Sequence, residues 1–334
     1  MKKVFSILLT MFFVICLTGC GKTDKKSIIN KMDKKVNNLN GYKIEAEMEL
    51  INNEDSYKYD VSVSYKKKDN YRVSLRNKTN NHEQIILKNE DGVYVLTPSL
   101  NKSFKFQSKW PYNNSQSYLL QSVINDMKND SKLSMNKKDG NYIFKSKVNY
   151  KNNANLTYQK VTVDKNYMIK SVYVYDRDGN INIKVNYNSI DMKAKFNKNY
   201  FILEENMQTF MNESNNNFKV SKLDDAIYPM YLPKGTYLKT EKTVQLDTGS
   251  RIILTFSGDK SFMLVEEPTI KEDELTVIPT NGEIDMFTDT IAVVDDSSIT
   301  WSSDGIDYYM VSSNMSKEEL FSVAKSVSTI PISK

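Results

Sequence analysis

YKIEAEMEL (residues 42–50) decides the fold. Ile44, Ala46, Met48 and Leu50 alternate with Lys43, Glu45, Glu47 and Glu49, and strict period two puts apolar side chains on one face of a strand and charges on the other. SYKYDVSVSY (56–65) repeats the pattern, with Tyr57, Tyr59, Val61, Val63 and Tyr65 set against Lys58, Asp60, Ser62 and Ser64. One wet face implies antiparallel pairing. Working outward, YRVSL (71–75), EQIILK (83–88), VYVLT (93–97) and SFKFQ (103–107) are further strands, with Asp91-Gly92 as a hairpin turn. NYIFKSKV (141–148), LTYQKVTVD (156–164), MIKSVYVYD (168–176) and NINIKVNY (180–187) continue the series, and Asp178-Gly179-Asn180 turns the last pair.

Two helices interrupt these strands. Ile28, Met32, Val36 and Leu39 recur at helical spacing until Asn40-Gly41 stops them, which predicts an amphipathic helix of about four turns packed on the sheet. After Pro111, the residues Tyr118, Leu119, Val123, Ile124 and Met127 predict a helix of about 13 residues capped by Ser115 or Ser117. Residues 27–205 therefore read as an α+β domain, a strongly curved antiparallel sheet wrapped around a helical plug. Residues 206–226, with three consecutive asparagines and few apolar groups, read as a linker. Residues 227–334 read as a small α+β domain. It opens on IYPMYLP (227–233), continues through short strands such as SRIILTFSG and SSITWSSDGIDYYMVSS, and turns a hairpin at Asp304-Gly305. Ser316 and Glu319 form a capping box for a last helix whose core face is Leu320, Phe321, Ala324 and Val327.

Ahead of all this stands an apolar run, Val4 to Leu17, behind Lys2 and Lys3, ending in Leu17-Thr18-Gly19-Cys20. The run is too short to span a bilayer and has the layout of a secretory signal peptide of the lipoprotein type. Residues 1–19 are expected to be removed. Cys20 then carries a diacylglyceryl group on sulfur, with room for an N-acyl chain, and residues 20–26 tether the protein to the outer face of the cell membrane. Cys16 leaves with the signal, so the 315 residues that remain hold one cysteine. No intrachain disulfide and no thiol chemistry are expected of them.

The net charge of +5 conceals an asymmetry. Residues 221–334 carry 10 basic and 19 acidic groups, a net of −9, against 36 and 22 in residues 1–220, a net of +14. Opposite signs suit docking of the halves, or contact of the basic half with anionic lipid or cell-wall polymer. Nucleic acid is a poor partner for an exported chain. Catalytic groups are scarce. His82 is the single histidine and reads as a surface group, and neither H-E-x-x-H nor G-x-S-x-G occurs. Asp224/Asp225, Glu266/Glu267 and Asp295/Asp296 are sequence neighbours, which on a strand face opposite ways. Asp176, Asp178 and Asn180 have a calcium-like spacing, explained better by the turn they form. No catalytic residue, metal ligand or cofactor is expected; the chain reads as a binding protein. Its 21 tyrosines, many on alternating strand positions, suit a ligand surface or interface.

DGVYVLTPSLNKSFKF (91–106), WPYNNSQSYLLQSVIND (110–126) and VTVDKNYMIKSVYVYDRDGNINIKVNYNSI (161–190) resemble the hairpin, inserted helix and closing strands of the LolA-like fold. The resemblance covers residues 27–205 and implies a half-barrel with a helical plug. The family's arginine-centred lid lock has only Arg72 and Arg76 as candidates nearby, and neither is assigned. YLPKGTYLK (231–239), with Trp301, Asp304-Gly305, Ser316 and Leu320, resembles a small domain that follows LolA-like modules in exported Gram-positive proteins. Together with the lipobox-like Leu17-Thr18-Gly19-Cys20, the whole resembles the YdcC and GerS group of sporulation lipoproteins. That resemblance implies a non-enzymatic role in spore germination, between mother cell and forespore. It implies binding to a cortex-modifying amidase of the CwlD type, which helps form muramic-δ-lactam. The alternatives are a lipid or lipoprotein carrier and an envelope sensor of the RseB type.

Overall fold

The computed structural model describes residues 24–52, 55–213, 223–287 and 289–327; Cys20 and the signal segment lie outside them. Helix α1 (Lys25–Asn37) leads into β1 (Gly41–Asn52), which pairs with β2 (Asp55–Lys66) in continuous antiparallel register, Tyr42 opposite Tyr65 and Met48 opposite Tyr59. β3 (Asn70–Asn77), β4 (Glu83–Asn89), β5 (Gly92–Thr97) and β6 (Lys102–Phe106) extend the meander on one side. α2 (Leu120–Asn129) then crosses the sheet, and β7 (Ser134–Lys138), β8 (Asn141–Lys147), β9 (Leu156–Val163), β10 (Ile169–Asp176) and β11 (Ile181–Asp191) return to the far side of β1. The two meanders meet at the β1–β11 pair, so the strand predicted first lies in the middle of the sheet.

The alternation in β1 does what period two requires: Ile44, Ala46 and Met48 are buried, in one cluster with Ile28, Met32 and Val36 of α1 and Leu120, Val123, Ile124 and Met127 of α2. The helical plug therefore fills the concave face. α2 is shorter than its apolar spacing predicts and starts after Leu119. The reason is that Ser115 and its neighbours are occupied elsewhere. Ser115 Oγ accepts from Asn149 N, Asn114 Oδ1 accepts from Lys151 N, and Tyr187 Oη donates to Ser117 O. These residues staple residues 114–117 to the 149–151 loop and β11 instead of capping a helix.

The linker reading of residues 206–226 needs correction at its start. Helix α3 (Leu203–Glu213) occupies the first part of that segment. Phe196, Phe201 and Met207 cover Ile85, Leu87, Tyr94 and Leu96 on the outer face of β4 and β5. Arg72 Nε donates to Asn206 Oδ1 at 2.6 Å, and its guanidinium also stands over the Tyr200 ring. A few well-placed apolar groups and one arginine hold this stretch, too little to register as an apolar pattern in sequence.

The C-terminal part is a second antiparallel sheet of β12 (Thr236–Leu246), β13 (Gly249–Gly258), β14 (Phe262–Pro268), β16 (Glu283–Phe287), β17 (Thr290–Val294), β18 (Ser298–Ser303) and β19 (Ile306–Val311). Helix α4 (Lys317–Lys325) packs on it, and the Ser316–Glu319 capping box is present as the sequence predicts. The stretch between, β15 (Thr276–Thr280), leaves this sheet and adds a parallel strand beside β6 of the half-barrel. The chain returns at Asn281-Gly282, where a Cβ on Gly282 would lie 2.6 Å from Val293 Cγ1, so a larger residue would have to displace Val293. The β16–β17 hairpin then sends Ile284 and Ile291 into the half-barrel core. Gln84 Oε1 accepts from Thr290 Oγ1 and Ile291 N at 3.0 and 2.7 Å, and Lys102 pairs with Asp307 at 3.2 Å. That ion pair joins the basic half to the acidic half.

Candidate partner-binding surface

Among the described residues no three histidine, cysteine or carboxylate groups form a metal cluster, and no helix is long and apolar enough to cross a membrane. His82 is half-buried rather than a surface group, and burial lowers its pKa. Asp176 accepts hydrogen bonds from the Asp178 and Asn180 amides and from Asn180 Nδ2, so its oxygens are committed to the turn. The tyrosines predicted to line a surface are mostly structural. Tyr59, Tyr71, Tyr94 and Tyr187 are buried, and Tyr42, Tyr65, Tyr71 and Trp110 form a run of ring contacts within the core.

A binding surface emerges instead from the four sheet edges, each of which presents unpaired backbone groups unless something blunts it. β7 is short and carries Lys137 and Lys138, and β15 is short and carries Pro279. β16 lies against the half-barrel through Ile284 and Met286. β12 differs in length: it is 11 residues long and has no proline. Although it carries Lys239 and Lys242 and a register shift between Leu238 and Thr240, nearly every side chain is exposed on both faces and residues 240–246 keep an unbroken register. Its partner β13 sends Ile252, Leu254 and Phe256 toward α4, and cross-strand pairing puts Leu238 opposite Phe256 and Glu241 opposite Leu254. The core row thus continues onto β12, where Leu238 stays 39 % exposed.

The segment before β12 borders this row. Tyr228 Oη donates to Glu241, Met230 N donates to Ser326 O, and Tyr231 N donates to Ser326 Oγ. The two bonds to Ser326 fix the backbone and leave the side chains out: Met230 is 70 % exposed and Tyr231 50 %, and Tyr237 at the start of β12 is 59 % exposed. Exposed tyrosine and methionine around an open strand edge is the composition of an interaction surface. Sequence reading missed it because these residues fall in a proline-interrupted stretch with no periodicity.

Glu266 anchors the same segment. It is fully buried, Oε2 accepts from Ile227 N at 3.0 Å, and Oε1 has no partner among the described residues. Burial pushes its pKa up to about 7. A carboxyl whose folded pKa exceeds its unfolded value stabilises the fold below the unfolded value, and that contribution is lost as pH rises through the folded one. The C-terminal part is therefore expected to lose stability between about pH 5 and 8, and Glu266→Gln to flatten the profile and gain about 1–3 kcal/mol at the alkaline end. Thermal melts across pH check this; a wild-type profile flat through neutrality would contradict it.

Comparison with known proteins follows the same division of the chain. The family described as sporulation protein YdcC-like matches residues 2–201, and a domain of unknown function, DUF4367, matches residues 226–327. The sporulation protein YdcC of Bacillus subtilis (strain 168) is 38 % identical over 328 residues, 98 % of this chain and 97 % of that one. Among solved structures, MucB in complex with MucA(peri) shares 11 % identity over 91 % of this chain and 98 % of that one, with a TM-score of 0.33. The structure of the CwlD amidase from Clostridioides difficile in complex with the GerS lipoprotein shares 16 % over 53 % and 98 %, with a TM-score of 0.22. Scores this low carry no weight for function. The family match over residues 2–201 and the near-complete alignment with a curated relative do: this chain belongs to the sporulation protein YdcC-like family.

Proposed function

We propose that this protein is a non-enzymatic sporulation lipoprotein, anchored through Cys20 to the outer face of a membrane, that binds a cell-wall amidase of the CwlD type and holds it active. The β12 edge carries the reading. It is the long open strand among the described edges, bordered by exposed Tyr228, Met230, Tyr231 and Tyr237, and it suits a partner that adds a strand and seats side chains beside it. The amidase as partner class, the role in germination and the space between mother cell and forespore rest on the sequence resemblance. Lipid carriage is disfavoured because Leu119 and Val123 are buried in the concave face and the space left against the β16–β17 hairpin is about 90 Å³.

Affinity capture from sporulating cells tests the reading. An amidase is expected in the eluate, and a transmembrane anti-sigma factor in its place would favour the sensor alternative. A Cys20→Ala chain is expected to bind the same partner in solution and to appear in the soluble fraction. Retention of that variant on membranes would overturn the anchor.

A further inference from the structure

A cleft of about 830 Å³ runs along the outward side of α2, from Tyr65, Tyr71 and Tyr112 at one end to the 147–149 segment at the other. It lies on the half-barrel, away from β12, and plays no part in the reading above. Its volume is in the range of small-molecule sites, but its lining is polar. Most charges there are engaged: Lys128 pairs with Asp33 at 2.7 Å, Asp130 accepts from Lys132 N and Lys147 N, and Asp69 accepts from Tyr112 Oη, while the exposed Lys147 adds an ammonium at the far end.

What remains is planar amides, a carboxyl and aromatic rings. Tyr42 Oη donates to Gln121 Oε1, which leaves Gln121 Nε2 without a protein partner among the described residues. Asn129 Nδ2 donates to Asn125 Oδ1, which leaves Asn125 Nδ2 and Asn129 Oδ1 in the same condition. Asp126 adds a half-buried carboxyl held by Gln159, and Tyr112 is 61 % exposed. An apolar ligand would strand these donors and acceptors. An anion would face the carboxyl groups of Asp33, Asp69, Asp126 and Asp130 against two lining lysines, Lys128 and Lys147. Paired donors and acceptors on planar groups match vicinal hydroxyls, and an exposed tyrosine ring matches the C–H face of a sugar.

We propose that this cleft binds a neutral oligosaccharide, with Tyr112 stacking on one ring and Gln121, Asn125 and Asp126 bonding to its hydroxyl or amide groups. Calorimetric titration of a chain beginning at Gly21, which keeps every described residue, tests this with chitotetraose and cellotetraose as probes. At least one is expected to bind with a dissociation constant of about 0.1–5 mM, and preference for chitotetraose would assign a role to the N-acetyl group. Tyr112→Ala is expected to weaken binding about 3- to 10-fold, as is Asn125→Ala; both positions are exposed, so folding is retained. Absence of binding of both sugars at about 20 mM, or binding unchanged in both variants, would overturn the proposal.

Discussion

A Thr243→Pro chain is expected to melt close to the wild-type temperature while binding its partner protein roughly 10- to 100-fold more weakly. β12 and β13 are joined by the two-residue loop Asp247-Thr248, with Leu246 opposite Gly249. In such a hairpin the closing pair is hydrogen-bonded, and antiparallel pairs then alternate. The amides of Leu246, Val244 and Lys242 therefore serve β13, and those of Gln245, Thr243 and Glu241 face outward. Proline at Thr243 removes an outward donor and puts a ring where an added strand would lie, a substitution edges tolerate. Lys242→Pro is the control. It breaks the β12–β13 ladder and is expected to lower stability and binding together. Melting curves and titration against the captured partner distinguish the two, and unchanged affinity in Thr243→Pro would remove β12 from the interface.

Ile291→Asp is expected to cost about 3–5 kcal/mol and to uncouple the two cores. Ile291 is 5 % exposed and belongs to the half-barrel cluster, although its strand is part of the C-terminal sheet. Its amide also donates to Gln84, so the hairpin is held by a buried hydrogen bond as well as by packing. An aspartate there is buried without a cation. The two tryptophans report the consequence separately, since Trp110 lies in the half-barrel cluster and Trp301 in the C-terminal one. Urea unfolding is followed by fluorescence in single-tryptophan chains. The two transitions are expected to coincide with Ile291 in place and to separate in the Ile291→Asp chain. Coincident transitions at an unchanged midpoint in that variant would show that the hairpin does not couple the cores.

The half-barrel was legible because strands such as β1 keep one wet face. Ile44, Ala46 and Met48 announce both strand and burial, and the capping box at Ser316 announces the last helix through two side chains at fixed spacing. Three features were not legible, each for a physical reason. β15 was readable as a strand, but its partner is decided by the turn at Gly282 and by parallel pairing with β6, a long-range contact that leaves no local pattern. α3 is held by Met207 packing on β4 and β5 and by Arg72 reaching Asn206 across 134 residues, contacts too few to leave a pattern. The β12 surface is defined by what fails to cover it, and exposure of that kind has no periodicity. For the same reason the alternating tyrosines misled: period two marks a strand face, and here that face is mostly core.

Hydrogen exchange on the complex tests the central claim most directly. With partner bound, the outward amides of Glu241, Thr243 and Gln245 are expected to become protected by about 10-fold or more, while protection in the half-barrel strands stays as in the free chain. Unchanged exchange along β12, with new protection appearing on the half-barrel instead, would contradict the assignment of the C-terminal edge as the surface this sporulation protein offers its partner.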